Sequence, residues 1–224
     1  MVPPVKNANF WWVAPVSVQA RIAFTRMKNY LPENIRVVNE SRMTITLRNG
    51  SEISFKSADN PDSLYGEDVY AAVVDEASRC KEEVWHAVRS TLTATRGAIR
   101  IIGNVKGRKN WAYQLARKAE SGVPGWRYSK ITAADAVAAN ILKADEVAEA
   151  QRDLPEQVFK ELYLAEPSDD HGNPFGVEAI EKCVAPMSNK EPVCWGWDLA
   201  KSVDWTWGIG LDEDGAVCRS ERWQ

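Results

Sequence analysis

The sequence holds few soft metal ligands. Its 224 residues include four cysteines (Cys80, Cys183, Cys194, Cys218) and two histidines (His86, His171). No two cysteines form a C-x-x-C pair, so a structural zinc site is not expected, whereas free thiols in a reducing cytoplasm are. No apolar run reaches the roughly 18 residues that mark a membrane-spanning helix. The opening Met1-Val2-Pro3-Pro4-Val5-Lys6 has no apolar core of a secretion signal. Excess charge of one sign is missing as well: 28 Lys and Arg face 31 Asp and Glu, a net charge of −3. Contact with nucleic acid would have to come from local basic clusters rather than from a global field. Neither an internal repeat nor a low-complexity segment interrupts the chain.

What is present is an ordinary globular composition, 45% apolar, with a high count of ten tryptophans. The length suits one large domain or one and a half. Trp11, Trp12, Trp195, Trp197, Trp205 and Trp207 adjoin apolar runs. Core packing is expected for most of them, with base stacking as the minor alternative.

The most informative stretch is Ala71-Ala72-Val73-Val74-Asp75-Glu76-Ala77. Small and β-branched residues in an unbroken run suit a strand buried on both faces of a parallel sheet. Burying a carboxylate is costly, so the two acids should emerge where the strand ends. In open α/β sheets ligands bind at that carboxyl edge. The competing reading is an acid that merely caps the next helix.

Other elements fall around this strand. Residues 10–14 read as a buried strand stopped by Pro15, and Ser17 can cap a helix to about Tyr30 that Pro32 ends. Met43 to Ser57 reads as a hairpin turning on Asn49-Gly50, followed by a polar loop to Glu67. A helix from about Lys81 to Thr95, stopped by Gly97, leads to a strand at residues 99–102 that ends in Gly103-Asn104. Strand, helix, strand at this length predicts a right-handed crossover with parallel strands. Asn104 then lands on the same sheet edge as Asp75 and Glu76. Further on, the pattern predicts a helix over Lys109–Ala119, a strand over residues 128–131, and helix over Lys143–Leu164 broken near Pro155. Pro167 to Pro174 is polar and turn-rich, Ala185 to Pro192 forms a second boundary, and three strands begin near Val193, Trp205 and Ala216.

In order and spacing these pieces resemble the large terminase subunit of tailed bacteriophages. Trp12-Val13-Ala14-Pro15 with Gln19-Ala20 looks like the family's strand and helix after its phosphate loop, and Asp75-Glu76-Ala77 looks like its Walker B element. Gly103-Asn104 with Lys106-Gly107 resembles the coupling motif thought to link hydrolysis to movement. Leu154-Pro155-Glu156, Phe159 and the segment 161–166 resemble the end of the ATPase domain, and Gly196-Trp197-Asp198 with Asp204 resembles the opening of a ribonuclease-H-like nuclease.

The resemblance implies an α/β fold: a P-loop-type (RecA/ASCE-like) parallel sheet with flanking helices, then the first strands of a ribonuclease-H-like domain. The expected division is 1–166 for a partial ATPase domain, 167–192 for a linker and 193–224 for the beginning of the nuclease. It also implies ATP-driven packaging of double-stranded DNA with metal-dependent endonucleolytic cutting. Asp75 would hold the nucleotide's Mg2+, Glu76 would orient the attacking water, Asn104 would touch the nucleotide, and Asp198 would bind Mg2+ or Mn2+ in the nuclease. Implied partners are a small terminase subunit, a portal protein and further copies in a ring on the portal, with no membrane. The implied place is the host cytoplasm, and the mature virion would lack the protein.

The sequence also departs from the family. No G-x-x-x-x-G-K-[ST] phosphate loop occurs: the segment 103–108 is one residue short between its glycines, and Arg108 stands where lysine is needed. The fold is therefore expected to lack its phosphate-loop element, and the later nuclease carboxylates are not found either. Where the family often carries an arginine finger, Tyr65 stands before Gly66, with Arg79, Arg108 or Arg42 as possible substitutes. The expectation is a fragment inactive alone. Two alternatives remain: another P-loop motor such as a helicase core, and a non-catalytic binding remnant using Arg96, Lys106, Arg108 and Lys109, a cluster that reads more simply as a solvated turn.

Overall fold

The computed structural model describes residues 5–168, 177–200 and 205–223. The chain divides into two compact units, Met1–His171 and Gly172–Gln224.

The first unit is organised by strand β1 (Asn9–Ala14), whose side chains alternate between two cores. Trp11 and Val13 join one buried cluster, while Ala14 joins the other with Trp12 packed against it. Around it lie β2 (Arg36–Asn39), β3 (Thr44–Leu47), β4 (Glu52–Ser57), β5 (Ala71–Val74) and β6 (Ala98–Ile101), in the spatial order β2-β3-β4-β1-β5-β6. The run β4-β1-β5-β6 is parallel, and β3 and β2 add antiparallel strands at one side.

Helix α1 (Ser17–Tyr30) covers one face, with Ala20 and Phe24, four residues apart, buried against Ile45 and Phe55. Its start corrects the expected cap. Val16 holds the N-cap position in an extended conformation with no side-chain bond, and Ser17 is already helical. The end follows from proline sterics: Leu31, before Pro32, is extended. Helix α2 (Glu82–Thr91) covers the opposite face through Val84, Ala87, Val88 and Thr91, a spacing that puts all four on one side. It stops a turn short of the expected Thr95. The Gly97 N–H instead closes onto the Leu92 carbonyl at 3.0 Å, and the Thr95 hydroxyl donates to the Val69 carbonyl, which brings the chain back to the sheet for β6.

Beyond β6 come α3 (Trp111–Glu120), α4 (Ala133–Ala138), α5 (Ala144–Asp153) and α6 (Glu156–Phe159), the last running into one wide π-helical turn, Lys160–Leu164. The expected strand at 128–131 does not form: the segment pairs with no strand among the described residues, and Ile131 is 75% exposed.

The second unit contains α7 (Val177–Cys183) and an antiparallel sheet of β7 (Cys194–Asp198), β8 (Thr206–Leu211) and β9 (Val217–Trp223). Its tryptophans correct the expectation of core packing. Trp197 stacks on Trp195 with ring centroids 5.4 Å apart and meets a tilted Trp223 at 5.0 Å, yet all three remain exposed. Trp205 and Trp207 are exposed as well and lie beside the Arg222 guanidinium. Trp11 and Trp111, in the first unit, are buried. Among the described residues no helix is long and apolar enough to cross a membrane.

Two predictions test this core. Phe24 is fully buried and meets Phe55 edge-on at 5.5 Å. Phe24→Ala is expected to cost about 3–5 kcal/mol in urea unfolding, and a loss below about 1 kcal/mol would contradict the packing. Cys80 is buried in the other cluster. Burial first, then the carboxylates of Asp75 and Glu76, push its thiol from 9.0 up to about 11. The folded state therefore keeps a proton that the unfolded chain releases, so this group stabilises below pH 9.0 and the gain is lost as pH rises to about 11. Between those limits Cys80→Ala should flatten the fall of stability with pH, and equal slopes in variant and parent would refute the assignment.

Candidate functional site at the carboxyl edge of the sheet

The site is built by strand pairing. β5 and β6 run parallel with Val74 opposite Ile101, so Asp75-Glu76 and Gly103-Asn104 leave the sheet at one rim. The Asp75 N–H continues the ladder by donating to the Val13 carbonyl at 2.8 Å, and the Ile102 N–H does the same to Val74 at 2.9 Å. The chain then turns sharply. Glu76 has φ 48° and ψ 40°, the left-handed region, which costs a residue with a side chain roughly 1–2 kcal/mol.

Several bonds hold that conformation. One Asp75 carboxylate oxygen accepts the Glu76 N–H at 3.0 Å. The Ala77 N–H donates to the Ile102 carbonyl at 2.9 Å, stitching the turn to the end of β6. The Arg79 N–H donates to the Glu76 carbonyl at 2.9 Å. From below, α3 clamps the same turn: the Asn110 amide donates to the Ser78 carbonyl at 2.9 Å and the Trp111 indole N–H to the Cys80 carbonyl at 2.8 Å. Asn110 also caps α3, its side-chain oxygen accepting the Ala112 N–H at 3.0 Å. The pair Asn110-Trp111 was not singled out from sequence, although an asparagine before a helical pattern is a recognised start signal.

Gly103 makes the two loops adjoin. A Cβ there would lie 3.0 Å from the Ala77 nitrogen and 3.3 Å from the Glu76 carbonyl carbon, tighter than ordinary contact, so a side chain would require the two backbones to give by a few tenths of an ångström. Asn104, the next residue, is exposed at this rim.

Asp75 and Glu76 are half-buried, and the Arg79 guanidinium approaches Glu76 at 3.6 Å. With both groups partly open to water, that pair contributes under about 1 kcal/mol. Arg79 thus engages an acid of its own chain. Lys106, Arg108 and Lys109 follow β6 on the rim, whereas Arg96 precedes β6 and lies at the opposite edge, so these four do not form one cluster. As donors, Asp75 and Glu76 offer only carboxylate oxygen. That suits Mg2+, which takes one or two carboxylates together with phosphate oxygens, rather than zinc.

Asp198 belongs to the second unit. It ends β7 opposite Trp207 and is exposed. Asp204 lies outside the described residues, as does His171. Among the described residues no three His, Cys, Asp or Glu side chains gather to hold a metal.

Comparison with known proteins bears on this geometry. The family model described as phage terminase large subunit matches residues 22–149, more than half of the chain. Among solved structures, the large terminase ATPase domain of Thermus phage P74-26 is similar at a TM-score of 0.59 and 24% identity, over 73% of this chain and 78% of that one. The large terminase of another thermophilic bacteriophage gives 0.64 and 14%, and its complex with ADP gives 0.62 and 16%. In both of these the match covers 100% of this chain and 57% of that one, so the chain spans little more than half the relative's length. Curated protein sequences give no match. At such identities the solved structures establish a shared mixed α/β fold with a parallel-strand sheet. The family model establishes kinship: this chain belongs to the phage terminase large-subunit family.

Proposed function

We propose that the first unit is the ATP-hydrolysing part of a motor that packages double-stranded phage DNA. The observation that carries this reading is the common rim: parallel β5 and β6 deliver Asp75, Glu76 and Asn104 to one sheet edge. Asp75 holds the magnesium ion that accompanies ATP, its free carboxylate oxygen being the hard donor available there. Mg2+ supplies charge neutralisation of the phosphates when bound. Glu76 orients the attacking water, and its left-handed backbone fixes where that carboxylate leaves the turn. Asn104 contacts the nucleotide and reports its state to the loop that follows. Lys106, Arg108 and Lys109 on that loop give DNA phosphates a local basic contact despite the negative net charge.

The sequence has no G-x-x-x-x-G-K-[ST] cradle for the phosphates, so we infer that this chain alone turns over ATP negligibly and that a phosphate loop supplied from outside the sequence completes the site. The same reading makes the second unit the opening of a ribonuclease-H-like nuclease, with Asp198 as its first metal-binding carboxylate and its remaining donors beyond the described residues. What supports it is the antiparallel order β7-β8-β9, with Asp198 ending the first strand. In packaging, the partners would be a small terminase subunit, a portal protein and further copies of the chain in a ring. Working inside the infected bacterium, the motor would leave before the virion matures.

The test joins a strand, a G-x-x-x-x-G-K-[ST] loop and a helix ahead of this chain. Mg2+-dependent ATP turnover is expected in the joined protein and not in the chain alone. Glu76→Gln should lower kcat by about a hundredfold or more while nucleotide affinity stays within about threefold. Asp75→Ala should raise the Mg2+ concentration needed for half-maximal turnover. Undiminished turnover in Glu76→Gln would sink the proposal.

A further inference from the structure

Among the described residues of the first unit, the carboxylate that is buried is Glu161, which is 7% exposed. One of its oxygens accepts three hydrogen bonds. The Gly107 N–H donates at 2.8 Å, from 54 residues away in sequence. The Ser168 N–H donates at 3.2 Å and the Ser168 hydroxyl at 2.7 Å, from seven residues away on the other side. Gly107 closes the loop that begins with Gly103-Asn104, and Ser168 lies just before the first unit gives way to the second at His171.

The local backbone is shaped for this meeting. Glu161 sits in the π-helical turn Lys160–Leu164, and such turns are rare overall but frequent at functional sites. Phe159 and Tyr163 stack across the turn at 4.9 Å with rings 10° apart, which stiffens it. Ala165 then adopts φ 49°, and the Glu166 N–H closes onto the Lys160 carbonyl at 3.0 Å, sending the chain back so that Ser168 reaches Glu161. On the far side Gly107 has φ +66°, a conformation that costs glycine little. A buried carboxylate is tolerated only with its hydrogen bonds made, so both donor segments are needed at once. An apolar contact could have joined the segments as firmly. It would not have required both to be in register.

We propose that Glu161 is a positioning residue: its carboxylate latches the loop that carries Asn104 to the segment leading out of the first unit, so that the two move as one body. A displacement of the rim loop, whatever ligand produces it, is passed directly to the Ser168 segment. The latch stands apart from the nucleotide reading, because it is tested on the nucleotide-free chain. If ATP turnover fails while the latch holds, only the nucleotide reading falls.

The experiment is amide hydrogen exchange on the whole chain. Glu161→Ala should accelerate exchange at both Gly107 and Ser168 by about tenfold or more, with the amides of β1 and β5 unchanged. Glu161→Gln, which keeps an acceptor oxygen in place, should restore most of the protection. Ser168→Ala removes only a hydroxyl and keeps the test available if Glu161→Ala fails to fold. It should accelerate exchange at Gly107 by about threefold or more, although the two residues share no direct bond. Unchanged exchange at Gly107 in the variants that fold would overturn the latch. So would an equal acceleration throughout β1 and β5, which would mean that Glu161 only stabilises the unit.

Discussion

The parallel register between β5 and β6 is the constraint on which the candidate site rests. Pairing Val74 with Ile101 puts two carboxylates and an asparagine, far apart in sequence, on one rim. A shift of one residue would turn every β6 side chain to the other face, burying Arg100 in place of Ile99 and Ile101, so the apolar packing itself specifies the register. The bond from the Ala77 N–H to the Ile102 carbonyl then extends that register past the end of the sheet and into the acidic turn. Site geometry and core packing are in this sense one constraint.

Much of that scaffold was legible in the sequence because its signals are local. The unbroken Ala-Val run before Asp75, the Asn49-Gly50 turn and the alternation on either side of it each carry a periodicity or turn requirement within a few residues. β2 was not legible: Arg36-Val37-Val38-Asn39 is short, two of its residues are exposed, and it is a strand only because β3 lies alongside. The converse error, a strand at 128–131, arose from residues with strand propensity that find no strand to pair with among the described residues. α4 was missed despite its signal, a capping box in which Thr132 and Asp135 bond reciprocally.

The rim itself was legible once the crossover was assumed, because handedness and parallel pairing follow from element order. Its supports were not. Trp111 and Asn110 bond backbone carbonyls 31 and 32 residues away, and Glu161 binds Gly107 across 54. Contacts of that separation leave no periodic trace in a single sequence. Nor does the left-handed conformation of Glu76, which nothing in the residue's own chemistry demands. Neighbouring bonds impose it, and they are tertiary.

The two acidic positions that the family likeness groups under metal chemistry differ physically. Asp75 and Glu76 are half-buried, held by backbone bonds on either side, and reached by one cation from their own chain. Partial burial strengthens electrostatic interaction there, and Mg2+ in general takes only one or two carboxylates where phosphate oxygens fill the rest of its shell. Asp198 stands exposed at the end of a strand whose neighbouring side chains are indoles. Water screens a single carboxylate in that setting, and two cations held close together need several carboxylates to offset their mutual repulsion. Partial burial therefore favours a cation at the first position more than exposure does at the second.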